Sequence, residues 1–252
     1  MSKIQNSKIT VGLFSLTGCE GCYFAVLDLR EKFLELKNKV EFRNFRLFED
    51  AEHFPSEHYD YAFIEGSPIT AENIKRLKQI RKHSDNLVAF GGCAHMGGIY
   101  HMKKYTNKEK AFNHVYGTDK GIDNLDVQPV EKIVKVDYVI PGCPVTPKEF
   151  LQFIYKTVLG AKFNITQNPV CYECQSQGYK CVLMAENQVC LGPITQGGCE
   201  AICLKSGQGC WGCRGLVEDA EVDNLIKILH KNHSLKEITK FFEVFGMKEL
   251  IK

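Results

Sequence analysis

The chain has 252 residues, 44% hydrophobic and 25% charged, with a mean hydropathy of −0.21. That composition excludes a disordered chain and a coiled coil. Its 32 basic and 30 acidic residues leave a formal charge of +2, too even a balance for a nucleic-acid partner. No apolar run approaches the roughly 18–20 residues that cross a bilayer, so no transmembrane segment is expected. The opening stretch MSKIQNSKIT has neither the apolar core nor the paired arginines of an export signal. A cytoplasmic chain with reduced thiols is the expectation. Against that ordinary background stand twelve cysteines.

The first 160 residues alternate strands and helices. Lys8–Leu16 reads as a β-rich apolar run ending at Thr17-Gly18. Val26, Leu29, Phe33 and Leu36 lie at helical spacing, which predicts a helix over Cys22–Asn38. Val40–Leu47 and Asp60–Ile64 read as strands. Thr70 caps a helix running to Ser84, with Glu72 in its first turn. Leu87–Phe90 and Val136–Ile140 are short buried strands leading into Gly91-Gly92 and Pro141-Gly142. Pro147 opens a helix whose stripe is Phe150, Leu151, Ile154, Tyr155 and Val158. Alternation of this kind predicts an α/β fold built on a doubly wound parallel sheet.

From about Ala161 the character changes. Residues 160–215 hold only 7 charged residues in 56, yet eight of the twelve cysteines. Such a segment suits wrapping around cofactors and burial against a partner. Beyond about Glu218 two short helices are expected. Val222, Leu225, Ile226, Ile228 and Leu229 mark the first; Ser234 caps the second, which carries Leu235, Ile238, Phe241 and Phe242. The organisation is therefore read as 1–160, 161–216 and 217–252.

Twelve thiols in a reducing compartment point to metal rather than disulfides, and both zinc and 4Fe–4S clusters take four ligands. Cys19 follows a strand and Thr-Gly, Cys93 a strand and Gly-Gly, Cys143 a strand and Pro-Gly. Each lies just past the carboxyl end of a predicted parallel strand, where open α/β sheets build their sites. With Cys22, they form one set of four. Glu65 sits at the same edge, as a cap or backbone-satisfying group or as a functional one. His95 reads as a packing residue or as a hydrogen-bonding neighbour of a ligand, since four thiolates already fill the site.

Cys171, Cys174, Cys181, Cys190, Cys199, Cys203, Cys210 and Cys213 are separated by 2, 6, 8, 8, 3, 6 and 2 residues, nearly a palindrome. That implies two more four-ligand sites. No histidine lies between His114 and His230, and the loops are glycine-rich, both of which favour clusters over zinc ribbons. The simplest division is local, Cys171–Cys190 against Cys199–Cys213. Ferredoxin logic instead favours an exchange of the outermost ligands between sites, and tying both halves together leans the reading toward exchange. Trp211 reads as a packing residue.

The C-x₂-C after the first strand, IEGS around Glu65, GGCAHMGG around Cys93 and IPGCP around Cys143 resemble the small subunit of nickel–iron hydrogenases. PVCYECQSQGYKCVL, CLGPITQGGCEAIC and CWGCRG resemble more narrowly its soluble cytoplasmic type, the delta or gamma subunit of sulfhydrogenases and methyl-viologen-reducing hydrogenases. The likeness runs from about residue 8 to 216. It implies a flavodoxin-like domain whose Cys19, Cys22, Cys93 and Cys143 hold a proximal cluster. The eight later cysteines would then hold medial and distal clusters in a ferredoxin-like segment, three 4Fe–4S clusters in all. It further implies a large-subunit partner carrying the nickel–iron site, so that this chain splits no hydrogen itself, and an acceptor subunit bearing flavin or iron–sulfur. Exported relatives have a histidine ligand on the distal cluster; this chain has none. The quinone-reductase relatives have adjacent cysteines where this chain reads Cys19-Glu20-Gly21-Cys22, and they lack the tail. Two other readings remain open, an electron-transfer module of another complex, such as a heterodisulfide reductase partner, and a zinc-stabilised assembly module.

Overall fold

The computed structural model describes residues 8–48, 57–117, 123–248 and 251. Most of the opening stretch read for an export signal, residues 1–7, lies outside them. Five strands, β1 (Ile9–Ser15), β2 (Val40–Phe45), β3 (Tyr59–Glu65), β4 (Ser84–Phe90) and β5 (Tyr138–Ile140), form one sheet in the order β2-β1-β3-β4-β5. Every pairing is parallel. This is the flavodoxin-like order, in which the chain reverses its direction of winding between β1 and β3.

The sheet is covered on both faces, as a parallel sheet requires. Alternate residues separate the two cores. Val11, Leu13, Phe63, Val88 and Phe90 point to one face. There they meet α1 (Gly21–Leu27), α2 (Glu31–Leu36) and α6 (Pro147–Val158). Phe14, Ala62, Ile64, Leu87 and Ala89 point to the other, against Leu77 and Ile80 of α3 (Ala71–Lys82) and against Ala94 of α4 (Gly92–Met96). On the first face Phe63, Phe90 and Phe150 pack edge-on with centroids 5.4–5.7 Å apart. Each such pair adds about 0.5–1.5 kcal/mol to its area burial.

The predicted strands and the capped helices stand where the pattern placed them, with ends shifted by up to three residues; β4 starts at Ser84, which the reading had placed at the end of the preceding helix. Thr70 Oγ1 accepts from Asn73 N at 3.1 Å, and Pro147 occupies the first turn of α6. The helix expected over Cys22–Asn38 is two. Arg30 takes φ 53, and the Arg30 amide closes a turn on Leu27 O at 2.9 Å. The break turns α2 so that Phe33 reaches the rings of Phe42 and Phe45, 5.3 and 6.1 Å away. Periodicity is continuous across such a break and does not reveal it. A further helix, α5 (Lys108–Tyr116), was not predicted; it carries Ala111, Phe112, Val115 and Tyr116 at helical spacing but buries none of its residues.

The cysteine-rich segment carries three short helices, α7 (Val170–Ser176), α8 (Val182–Ala185) and α9 (Ile202–Lys205). Helices α10 (Val222–Leu229) and α11 (Leu235–Val244) follow as expected, and Ser234 forms a full capping box with Glu237. Their Leu225, Leu229, Ile238 and Phe242 share a core with Val189, Leu191 and Ile194. Trp211 stacks on Phe241 at 4.1 Å and 12°, a packing role as read. Among the described residues no helix is long and apolar enough to cross a membrane.

Candidate iron–sulfur centres

The carboxyl ends of β1, β3, β4 and β5 bring Cys19, Cys22, Glu65, Cys93 and Cys143 to one edge. Burial pushes the Cys22 thiol far up, and Glu65, Cys93 and Cys143 raise it further. Burial, then Cys143, Cys19 and Glu65, push Cys93 up to about 12. The four thiols and the carboxyl thus share one field. Cys22 is buried, whereas Cys19 and Cys143 are exposed. Sequence reading overlooked Tyr100, whose phenol is raised to about 12 by burial, then by Cys93, Cys19 and Glu65.

Two glycines make this edge possible. Gly91 has φ +90, and a Cβ there would run into Cys22 Sγ. Gly66 has φ +89, and its Cβ would lie 2.6 Å from Thr17 O. The Gly66 turn lets Ser67 N donate to Thr17 O at 2.8 Å, while Ser67 Oγ donates to Cys93 O at 2.9 Å. The IEGS stretch therefore ties the first and fourth strand ends together. Glu65, 2% exposed, is no helix cap, because Thr70 fills that role. His95 Nε2 lies 3.2 Å from where a Gly215 Cβ would stand. Its Nδ1 is buried with no hydrogen-bond partner among the described residues.

The eight later thiols group in the local way, against the lean toward exchange. Cys171, Cys174, Cys181 and Cys190 line one apolar cavity with Val170, Val182 and Gly192. A Cβ on Gly192 would stand 3.3 Å from Cys190 Sγ and 3.5 Å from Cys171 Sγ, a cradle that only a bare backbone fits. Cys199, Cys203, Cys210 and Cys213 line a second cavity of about 490 Å³ that also reaches Cys143. Burial comes first among the causes that raise Cys171 and Cys213, each to about 12. The quartets adjoin one another. Cys143 lines the same cavity as Cys213, and the Cys210 amide donates to Cys190 Sγ at 3.2 Å.

The donor set fits iron–sulfur ligation. It is thiol-only, glycine-cradled and supplied with amide donors to sulfur, the features that tune such clusters. Among the described residues no three ligating side chains converge on a point that one metal ion could occupy. Two polar groups that sequence reading did not assign stand between the quartets. Arg214 is wholly buried and pairs with Glu149. Glu173 accepts from the Gly198 and Ala201 amides. A charge in so charge-poor a segment was the available signal for both.

Residues 19–157 match the family model described as the 20 kDa subunit of NADH ubiquinone oxidoreductase. Over 237 residues the chain is 34% identical to sulfhydrogenase 2 subunit delta of Pyrococcus furiosus, covering 94% of this chain and 98% of that one. It is 32% identical to a subunit of the vhu F420-non-reducing hydrogenase of Methanocaldococcus jannaschii, covering 82% of each. The chain belongs to the 20 kDa subunit family, within its branch of hydrogenase small subunits. Those subunits serve oxidoreductases that act as complexes. Among solved structures it is similar to a chain of an NAD⁺-reducing [NiFe]-hydrogenase in the H₂-reduced state. That match has a TM-score of 0.57 and 29% identity, over 64% of this chain and 96% of that one. An actinobacterial-type NiFe-hydrogenase chain from Ralstonia eutropha H16 shares the fold over 98% of this chain and 92% of its own. The TM-score there is 0.61 and the identity 15%.

Proposed function

We propose that this chain is the electron-transfer small subunit of a cytoplasmic nickel–iron hydrogenase. Three 4Fe–4S clusters, one per cysteine quartet, would pass single electrons between a nickel–iron site on a large partner subunit and a flavin- or iron–sulfur-bearing acceptor subunit. The division into a flavodoxin-like unit (1–160), a ferredoxin-like two-cluster segment (161–216) and C-terminal helices (217–252) belongs to the same reading.

The observation that carries it is that one quartet adjoins both of the others. Cys143 lines the same cavity as Cys199, Cys203, Cys210 and Cys213, and the Cys210 amide donates to Cys190 Sγ. These contacts support a spatial order in which Cys199, Cys203, Cys210 and Cys213 stand in the middle. The quartet of Cys19, Cys22, Cys93 and Cys143 stands at one end, and that of Cys171, Cys174, Cys181 and Cys190 at the other. Chain order and spatial order thus differ. Both ends open to the surface. Cys19 and Cys143 are exposed at the first, suited to cover by the large subunit, and Cys181 at the last. Tyr172, 62% exposed, and Met184, 75% exposed, flank that last quartet and suit an acceptor.

Anaerobic iron and acid-labile sulfide analysis of the purified complex tests this reading. About twelve irons bound to this chain are expected. Four or eight in fully loaded protein, or stoichiometric zinc, would overturn it.

A further inference from the structure

We propose that Glu173 positions the Cys199–Cys203 loop and that its fixed negative charge lowers the reduction potential of the group held by the middle quartet. The inference rests on the cluster reading above.

In sequence Glu173 stands between Cys171 and Cys174, so it reads as a neighbour of the end quartet. Its carboxylate instead reaches the next one. Oε1 accepts from Gly198 N at 2.6 Å. Oε2 accepts from Ala201 N at 3.3 Å and lies 3.9 Å from Cys199 Sγ. The loop it grips is an unfavourable one. Gly198 has φ 112, and the non-glycine residues Glu200 and Ala201 have φ 57 and 51. Consecutive side-chain-bearing residues in the left-handed region are sparsely populated and persist only where the surroundings hold them. Two charge-assisted bonds from one carboxylate supply that hold.

The same geometry has an electrostatic consequence. The free thiol of Cys199 donates to Oε2; a ligating thiolate has no proton to give, and two negative groups then face each other. Every electron added to the bound group increases that repulsion, so reduction is disfavoured. Arg214 acts on Cys199 in the opposite sense, but Glu149 pairs with its charge. Lys148 also attracts Glu173, but it is exposed and paired with Glu200, so solvent screens it; the two amide dipoles are part of the positioning.

The test is a redox titration of the purified hydrogenase complex followed by EPR, with E173Q and E173D beside the wild type. Gln keeps an oxygen for the Gly198 amide and loses the charge; Asp keeps the charge on a shorter arm. In E173Q one of three one-electron potentials is expected to rise by about a tenfold change in the reduction equilibrium, 59 mV, while the other two stay. E173D should leave that potential near the wild-type value. Loss of four irons from E173Q but not from E173D would support the same assignment, because the charge is then what holds the loop. Three unmoved potentials in E173Q, equal shifts in E173Q and E173D, or iron loss from both would overturn it. A wild-type complex without three such potentials would instead overturn the cluster reading.

Discussion

The guanidinium of Arg214 and the carboxylate of Glu149, 65 residues apart in the chain, form a two-pronged ion pair at 2.6 and 2.9 Å. Arg214 is 0% exposed. Its Nε donates to Gly197 O at 2.7 Å, and Nη1 also donates to Pro141 O at 2.9 Å. One side chain therefore joins helix α6, the loop that leads to Cys143, the loop that leads to Cys199, and the Cys213 turn. Burial pushes the Glu149 carboxyl up, and Arg214 works against that. The pair is the bolt between the sheet and the cysteine-rich segment.

Removing one partner strands a buried charge, which costs about 3–5 kcal/mol. For a chain of this size Glu149→Leu alone should lower Tm by roughly 6–20 °C. The double substitution Glu149→Leu with Arg214→Met should recover most of that loss in a thermal-shift measurement. Equal Tm for the wild type and E149L would show that the pair does not hold the two parts together.

Asp137 gives a pH-dependent counterpart at the start of β5. Burial raises its pKa, but hydrogen bonds from Lys135, the Leu87 amide and Arg81 outweigh that and leave it below the ordinary carboxylate value. Arg81 Nη1 stands 2.5 Å away and Leu87 N 2.9 Å. A depressed folded-state pKa stabilises the protein above the unfolded value, near 3.9, and the benefit fades as pH falls through the folded value. Asp137→Asn should therefore cost about 1–3 kcal/mol at pH 7, with the gap to wild type closing below about pH 4. A gap that stays constant across that range would assign the loss to packing instead.

Cys93 belongs to the end quartet with two exposed thiols. Under the proposed order, Cys93→Ser isolates the large subunit from the other two quartets. Hydrogen turnover by the complex should fall far more than electron exchange between those quartets and an artificial dye. Simultaneous disappearance of all three EPR signals would mean that the variant unfolds.

Much of this arrangement was legible in the residues. Strand–helix alternation and a glycine before each of Cys19, Cys93 and Cys143 placed four thiols at the strand ends, because period and turn chemistry are local properties. Arg30 was not legible, since a break leaves the apolar spacing of Val26, Phe33 and Leu36 intact. Nor was the Arg214–Glu149 pair, which no local pattern can connect across 65 residues. Glu173 misled in a specific way: it lies beside two cysteines of one quartet, and its helix turns its carboxylate toward another.

The eight later cysteines carry the remaining prediction. Their near-palindromic spacing fits a local or an exchanged division equally. The cavities favour the local division: Cys171 shares its cavity with Cys174, Cys181 and Cys190, whereas Cys213 shares its own with Cys199, Cys203 and Cys210. The ordering of short segments accounts for this. Helix α7 delivers Cys171 and Cys174, and Cys181 immediately precedes α8, so the first three thiols are fixed within one compact stretch. The Leu191 amide bonds to Cys210 O at 2.9 Å, which sets Cys190 and Cys210 side by side but leaves their thiols in different cavities. Cys171→Ala and Cys213→Ala should thus each remove a different EPR signal from the loaded complex, and Cys174→Ala should remove the same one as Cys171→Ala. Loss of one common signal from the Cys171 and Cys213 variants would mean that the ligands cross.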